Sequence, residues 1–278
     1  MTQLQPNPSR TVSPDYRAIQ PSSSDRSTVA PILTVEHLTF GYPSHPLILQ
    51  DLSFTVQRGE KVGVIGPNGA GKTSLFMTLC GILPPTSGEI TLFDHPVKLG
   101  EFRPELGFVF QNPDDQLFSA TVEGDVAFGP ENMGCAPQEI LARTEAALSL
   151  TGMLAHKHDP PHHLSGGEKR MVAIATVLSM LPQLIIYDEP SANLDLRARR
   201  RLIQFLQHSQ ETILVSSHDL EFLLEVCDRV LLLDEGHIIA AGPPQTVMAN
   251  EPLMLAHGLE KPHSLIPHIV QHKLGQTS

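Results

Sequence analysis

The stretch Glu60-Lys61-Val62-Gly63-Val64-Ile65-Gly66-Pro67-Asn68-Gly69-Ala70-Gly71-Lys72-Thr73-Ser74 decides how the chain is read. Its first six residues are rich in apolar side chains and suit a buried strand. Gly66 to Thr73 then fit G-x-x-x-x-G-K-T, a phosphate-binding loop. Beyond it Leu75, Phe76, Leu79, Ile82 and Leu83 fall at helical spacing. Strand, glycine loop and helix form the setting in which this motif has a physical meaning. Glycines let backbone N–H groups turn inward around phosphate oxygens, and the helix N-terminus adds its partial positive charge. Gly66, Pro67, Asn68, Gly69, Ala70, Gly71, Lys72, Thr73 and Ser74 are therefore the expected phosphate cradle. Lys72 is read as reaching the β- and γ-phosphates, and Thr73 as placing its hydroxyl on Mg²⁺.

Two further stretches extend this chemistry. Leu184-Ile185-Ile186-Tyr187-Asp188-Glu189 is an apolar strand that ends in two carboxylates. In parallel sheets the C-terminal strand ends are where ligands bind. Asp188 is read as a holder of Mg²⁺ and Glu189 as the group that polarises an attacking water, since phosphoryl transfer needs neutralised charge and a placed nucleophile. Alone, such a pair is an ordinary solvated strand end; the phosphate loop gives it a role. Leu164-Ser165-Gly166-Gly167-Glu168-Lys169-Arg170 opens a helix with apolar Met171, Val172, Ile174, Val177, Leu178 and Leu181. Ser165 and Glu168 satisfy the S-x-x-E capping pattern, and Gly166-Gly167 expose backbone donors at a positive helix end. The stretch is read either as a well-capped helix alone or as a second anion site. Two such sites in one chain suggest that the second serves a neighbour's nucleotide.

Composition narrows the partners. The chain has 278 residues, 41% of them hydrophobic, and 19 Lys and Arg against 30 Asp and Glu. A net charge of -11 argues against non-specific nucleic-acid binding, which needs a basic surface. Cys80, Cys135 and Cys227 are isolated and odd in number, against a disulfide framework and in keeping with a reducing cytosol. No run of 18 apolar residues is present and no apolar stretch opens the chain, so neither a membrane span nor a secretory signal is expected.

Along the chain, residues 1–31 read as a disordered arm rich in Pro, Ser, Gln and Thr. Strands are expected over 32–40, 49–56, 87–93 and 105–110, giving a small antiparallel sheet beside the start of a buried parallel one. A proline-separated helical insertion follows from about 112, with helices over 123–128 and 138–150 and Pro130 between them. Strands at 184–187 and 212–215 flank a helix over 197–207, and 229–233 with 237–240 read as a hairpin. The fold class is α/β with a mostly parallel core sheet, a small antiparallel β-subdomain and a helical subdomain at about 112–180. Residues 251–278 form a short tail.

The loop at 66–73, Leu164 to Arg170, Asp188-Glu189, Ser191-Ala192-Asn193-Leu194-Asp195 and Ser216-Ser217-His218-Asp219 stand in the order of an ABC-type ATPase. The chain resembles that family over residues 32–250, a P-loop NTPase fold. The resemblance implies a head-to-tail dimer, with itself or a homologous ATPase, holding two ATPs. Each ATP would lie on one subunit's phosphate loop and under the Ser165, Gly166 and Gly167 of the other. It further implies that Tyr42 stacks on adenine, Gln111 joins the Mg²⁺ with Thr73 and Asp188, His218 contacts the γ-phosphate, and Asp195 crosses the interface. Glu168 stands where many members carry Gln; the Ser and Gly positions that meet phosphate are kept.

The segments 111–118 and 121–132, with Pro262-His263-Ser264, are more selective. They resemble energy-coupling-factor importer ATPases, especially those serving cobalt and nickel. That implies a place at the cytoplasmic face of the membrane beside an integral scaffold and a substrate-binding membrane subunit. A related vitamin importer is the alternative. A non-transport ABC protein of DNA repair or translation fits less well, because the chain has one cassette and no long coiled coil. His156, His158, His162 and His163 cluster in a loop, and His263, His268 and His272 lie in the tail. Imidazole suits nickel and cobalt, yet both groups read first as solvated loop histidines.

Overall fold

The computed structural model describes residues 30–266. The arm expected over 1–31 lies outside them except for its last two residues, and so do His268 and His272.

In chain order, β1 (Leu33–Tyr42) and β2 (His45–Val56) form a hairpin, and β3 (Lys61–Ile65) leads through the glycine loop into α1 (Lys72–Leu79). Next come β4 (Ser87–Leu92), β5 (His95–Pro96) and β6 (Leu106–Val109). A helical region holds α2 (Val122–Asn132), α3 (Pro137–Leu150) and α4 (Gly166–Leu178). The chain then alternates β7 (Leu184–Tyr187), α5 (Leu196–His208), β8 (Thr212–Ser216), α6 (Leu220–Val226), β9 (Arg229–Asp234) and β10 (His237–Gly242). It closes with α7 (Pro244–Ala249) and α8 (Glu251–Ala256).

Two sheets result. One is antiparallel in the order β2-β1-β4-β5; the other runs β10-β9-β3-β8-β7-β6 and is parallel apart from its β10 edge. All four residues of β7 and all five of β8 are buried. Strands covered on both faces need continuous apolar runs rather than alternation, which is how these read in the sequence. The order puts β3 beside β8 and β8 beside β7, so the segments that leave their C-terminal ends converge at one edge. Those segments are the glycine loop, Asp188-Glu189 and Ser217-His218.

Three local outcomes differ from the sequence reading. The loop helix stops at Leu79, so Ile82 and Leu83 lie beyond it. Pro130 does not end a helix but sits inside α2. A proline there deprives the carbonyl four residues back of its usual N–H donor. That carbonyl belongs to Val126, and the buried Ser179 hydroxyl donates to it at 2.8 Å, removing the penalty. Residues 251–266 of the tail are folded onto the main core, with Met254 fully buried and Leu259 and Leu265 packed against the cluster. Ser264 ties the end down by donating its N–H and hydroxyl to Glu221 at the start of α6.

Candidate functional site

The glycine loop is built for close approach. Gly66 has φ 156, and a Cβ there would meet the Leu233 carbonyl oxygen at 2.0 Å. Gly71, at φ 101, is the N-cap of α1 and leaves no room for a side chain against Leu49. Lys72 begins the helix and is mostly buried. Its Nζ donates to the carbonyls of Gly66 (2.9 Å) and Pro67 (3.1 Å), so the ammonium lies inside the turn it belongs to. Burial pushes the Lys72 pKa down, while Glu189 and Asp188 oppose that shift.

Asp188 and Glu189 are cross-bonded from neighbouring strands. Thr73 Oγ1 donates to Asp188 Oδ2 at 2.8 Å, and Ser216 Oγ donates to Asp188 Oδ1 at 2.7 Å. The same Ser216 oxygen accepts the Glu189 N–H at 3.0 Å. Glu189 takes the left-handed conformation, φ 47, and its Oε2 accepts the His218 N–H at 3.0 Å. Its Oε1 is buried without a hydrogen-bond partner, 3.4 Å from His218 Nε2. Burial raises the Glu189 pKa, against the His218 N–H, the His218 ring and the Lys72 charge. An unpartnered acceptor next to a phosphate turn can take a hydrogen from a water.

A cavity of about 310 Å³ brings Asn68 to Ser74, Gln111, Asp188, Glu189 and His218 together, with Ile48 at its wall. The Thr73 hydroxyl, Asp188 carboxylate and Gln111 amide supply oxygen donors, the hard set that Mg²⁺ takes. Tyr42 is 38% exposed at the end of β1, and its hydroxyl lies 3.3 Å from Ser74 Oγ.

Ser165, Gly166, Gly167 and Asp195 do not line that cavity. Ser165 Oγ accepts the Glu168 N–H at 3.4 Å, while Glu168 Oε2 accepts the Ser165 N–H (2.9 Å) and hydroxyl (2.7 Å), a complete capping box. Asp195 caps α5 by accepting the Ala198 N–H at 2.7 Å. Gly167 has a packing duty as well, since a Cβ there would come within 2.7 Å of the Ala198 Cβ. The loop histidines form local pairs, His156 Nδ1 with Asp159 Oδ2 at 2.8 Å and His158 with Glu123 at 3.4 Å. Among the described residues no group of three or more His, Cys, Asp or Glu is arranged to hold a metal.

A model of the family described as ABC transporter matches residues 49–192, more than half the chain. The chain belongs to the ABC transporter family. A Synechocystis sp. relative, assigned only to the ABC transporter ATP-binding proteins, is 50% identical over 88% of this chain and 87% of its own length. The energy-coupling factor transporter ATP-binding protein EcfA of Methanocaldococcus jannaschii is 39% identical, over 86% of this chain and 88% of its own. Among solved structures, cbiO1 of Clostridium perfringens, part of the ABC transporter complex cbiONQ, is similar with a TM-score of 0.73. It shares 37% identity and matches over 81% of this chain and 94% of that one. The ABC chain is thus an ATP-binding, ATP-hydrolysing transporter subunit with the α/β P-loop fold expected from its sequence. Among the described residues no helix is long and apolar enough to cross a membrane.

Sequence reasoning passed over three side chains that organise the site. Ser216, to which the sequence motif assigns no role, aligns both carboxylate residues. Gln116 and Arg170 hold the backbone around Gln111. One signal was available: Arg170 shares a helix face with Ala173, Ile174 and Val177, where a solvated charge does not belong.

Proposed function

We propose that this ABC subunit powers uptake of a divalent metal, cobalt or nickel, as the ATPase of an energy-coupling-factor-type importer. It works as a dimer with itself or a homologous ATPase, at the cytoplasmic face of the membrane, beside an integral scaffold and a substrate-binding membrane subunit. The observation that carries this reading is the segment from Gln111 to Asn132. It resembles the cobalt and nickel importers in sequence, starts at the nucleotide cavity, and ends in a helical region with Phe118 and Phe128 exposed edge to face, 4.9 Å between ring centroids. An exposed aromatic pair suits a partner surface better than solvent. The relatives named EcfA and the cbiONQ complex of cbiO1 agree with a transporter assembly of this type.

In this reading Tyr42 stacks on adenine, and the Gly66–Ser74 turn and Lys72 hold the phosphates. Thr73, Gln111 and Asp188 would hold Mg²⁺, which would supply neutralisation of phosphate charge. Glu189 Oε1 accepts a hydrogen of the water that attacks the γ-phosphorus. His218 steadies the γ-phosphate. Ser165, Gly166, Gly167 and Asp195 act on the nucleotide held by the partner subunit. The decisive experiment places the chain with its membrane subunits in vesicles and follows radioactive cobalt, nickel and candidate vitamins. ATP-dependent accumulation of metal is expected; accumulation of a vitamin instead, or expulsion of metal, refutes the proposal.

A further inference from the structure

The turn after β6 is fastened to α4 at three points. Arg170, the fifth residue of α4, is 2% exposed; Nη1 donates to the Phe110 carbonyl at 2.6 Å and Nη2 to the Gln111 carbonyl at 2.5 Å. Gln116 reaches the other way. Its Oε1 accepts the Phe110 N–H at 3.2 Å, and its Nε2 donates to Ala173 O (2.8 Å) and Thr176 Oγ1 (2.7 Å) on α4. At the rim Lys169 Nζ lies 2.7 Å from Asp114 Oδ1.

Burying a guanidinium is costly, and an apolar side chain would fill the space more cheaply. Desolvation pulls the Arg170 pKa down to about 10, against the attraction of Asp188, so the charge is retained at neutral pH. What the buried charge provides is geometric. A planar fork fixes two successive carbonyls, and one belongs to Gln111, whose side chain lines the nucleotide cavity. The other end of the helix is near: five residues at the α-helical rise put Arg170 about 7.5 Å from the Ser165 cap along the axis.

We propose that Arg170 is a positioning residue that makes the Ser165-Gly166-Gly167 cap and Gln111 move as one body. A phosphate meeting the cap from the partner subunit then shifts Gln111 over this subunit's own nucleotide, and the reverse. This rests on the reading above, in which Gln111 faces the chain's own nucleotide and the cap faces the partner's. Coupling of this kind is reciprocal, so it shows itself as cooperativity between the two nucleotides rather than as affinity for either one.

The test uses the full chain. Nucleotide affinity of the monomer is titrated with a fluorescent ATP, ATP-driven dimerisation is followed in a Glu189→Gln background, and the Hill coefficient of hydrolysis is measured with Glu189 intact. For Arg170→Met the affinity of the monomer should stay as in the parent. The ATP needed for half-dimerisation should rise about tenfold, and the Hill coefficient should fall from near two towards about one. Arg170→Lys, able to hold one carbonyl, should lie between the two. Lys169→Ala, which removes only the contact to the exposed Asp114 at the rim, should move the same quantities less. A purely structural arginine would lower the melting temperature and scale all rates together, with the Hill coefficient unmoved. That result in Arg170→Lys and Lys169→Ala overturns the proposal. If the Glu189→Gln parent itself stays monomeric with ATP, the two-subunit site fails and the coupling goes with it.

Discussion

The phosphate turn and the start of α4 are built in opposite ways. Around the phosphate turn the polar groups are interlocked, mostly across elements: Lys72 with the turn's carbonyls, Thr73 and Ser216 with Asp188, Glu189 with Ser216 and His218. At the start of α4 the Ser165 and Glu168 side chains hydrogen-bond to one another's residues, within four positions of the chain. Asp195 caps its own helix, and Leu196 beside it is 85% exposed. On the proposed reading, one half of the site is preorganised within the chain, where fixed dipoles act most strongly, and the other is completed by a second chain. Losses in the first half should therefore appear in a single chain, and losses in the second only when two chains meet.

The largest expected effect lies in the first half. Glu189→Gln keeps the shape but removes the carboxylate that accepts from water, and hydrolysis should fall about 100- to 10,000-fold, the span of a positioned acid–base group. ATP should then hold two copies together, seen as a doubling of mass on a sizing column. Turnover at the parent rate would remove Glu189 from its role.

Next comes Lys72→Ala. Hydrogen bonds to charged groups contribute about 1.5–3 kcal/mol, so ATP binding to the monomer should weaken roughly 10- to 100-fold. Ser165→Ala should do the reverse. A fluorescent-ATP titration of the monomer should match the parent, while dimerisation in the Glu189→Gln background should need about tenfold more ATP, as expected for one bond to a charged group. If Ser165→Ala weakened the monomer's own binding, the distinction between the halves would vanish.

The same contrast explains what could be read from the chain before folding. The phosphate turn is legible because glycine at 66 and 71 answers a steric demand that no other residue meets. Strands β7 and β8 are legible because burial on both faces leaves an unbroken apolar run. The fastening around Gln111 is not legible, because Arg170 bonds to main-chain carbonyls 60 and 59 residues away and a carbonyl has no sequence signature. Pro130 misleads for a similar reason: its cost is cancelled by a hydroxyl 53 residues from Val126. α6 is missed because seven residues carry too short a period to register.

The smallest predicted effect concerns the solvated half and its charge. Glu168 has its pKa held below the usual carboxylate range, first by the Ser165 hydroxyl and then by the Ser165 N–H, with lesser help from His156 and Arg201. A carboxyl whose folded pKa is depressed stabilises the fold above its unfolded pKa and loses that contribution as pH falls through the folded value. At neutral pH Ser165→Ala should thus cost about 1 kcal/mol in a denaturant titration, as for a lost N-cap. Below the carboxylate range Glu168 is protonated in both proteins, so the difference between them should shrink. In Glu168→Gln, where nothing titrates at that position, the cost of removing the Ser165 hydroxyl should not change over the same pH interval. A cost that stays equal at both pH values in the Glu168 protein would mean that the cap is held by shape alone. The Glu168 carboxylate would then have no electrostatic part in keeping the helix end ready.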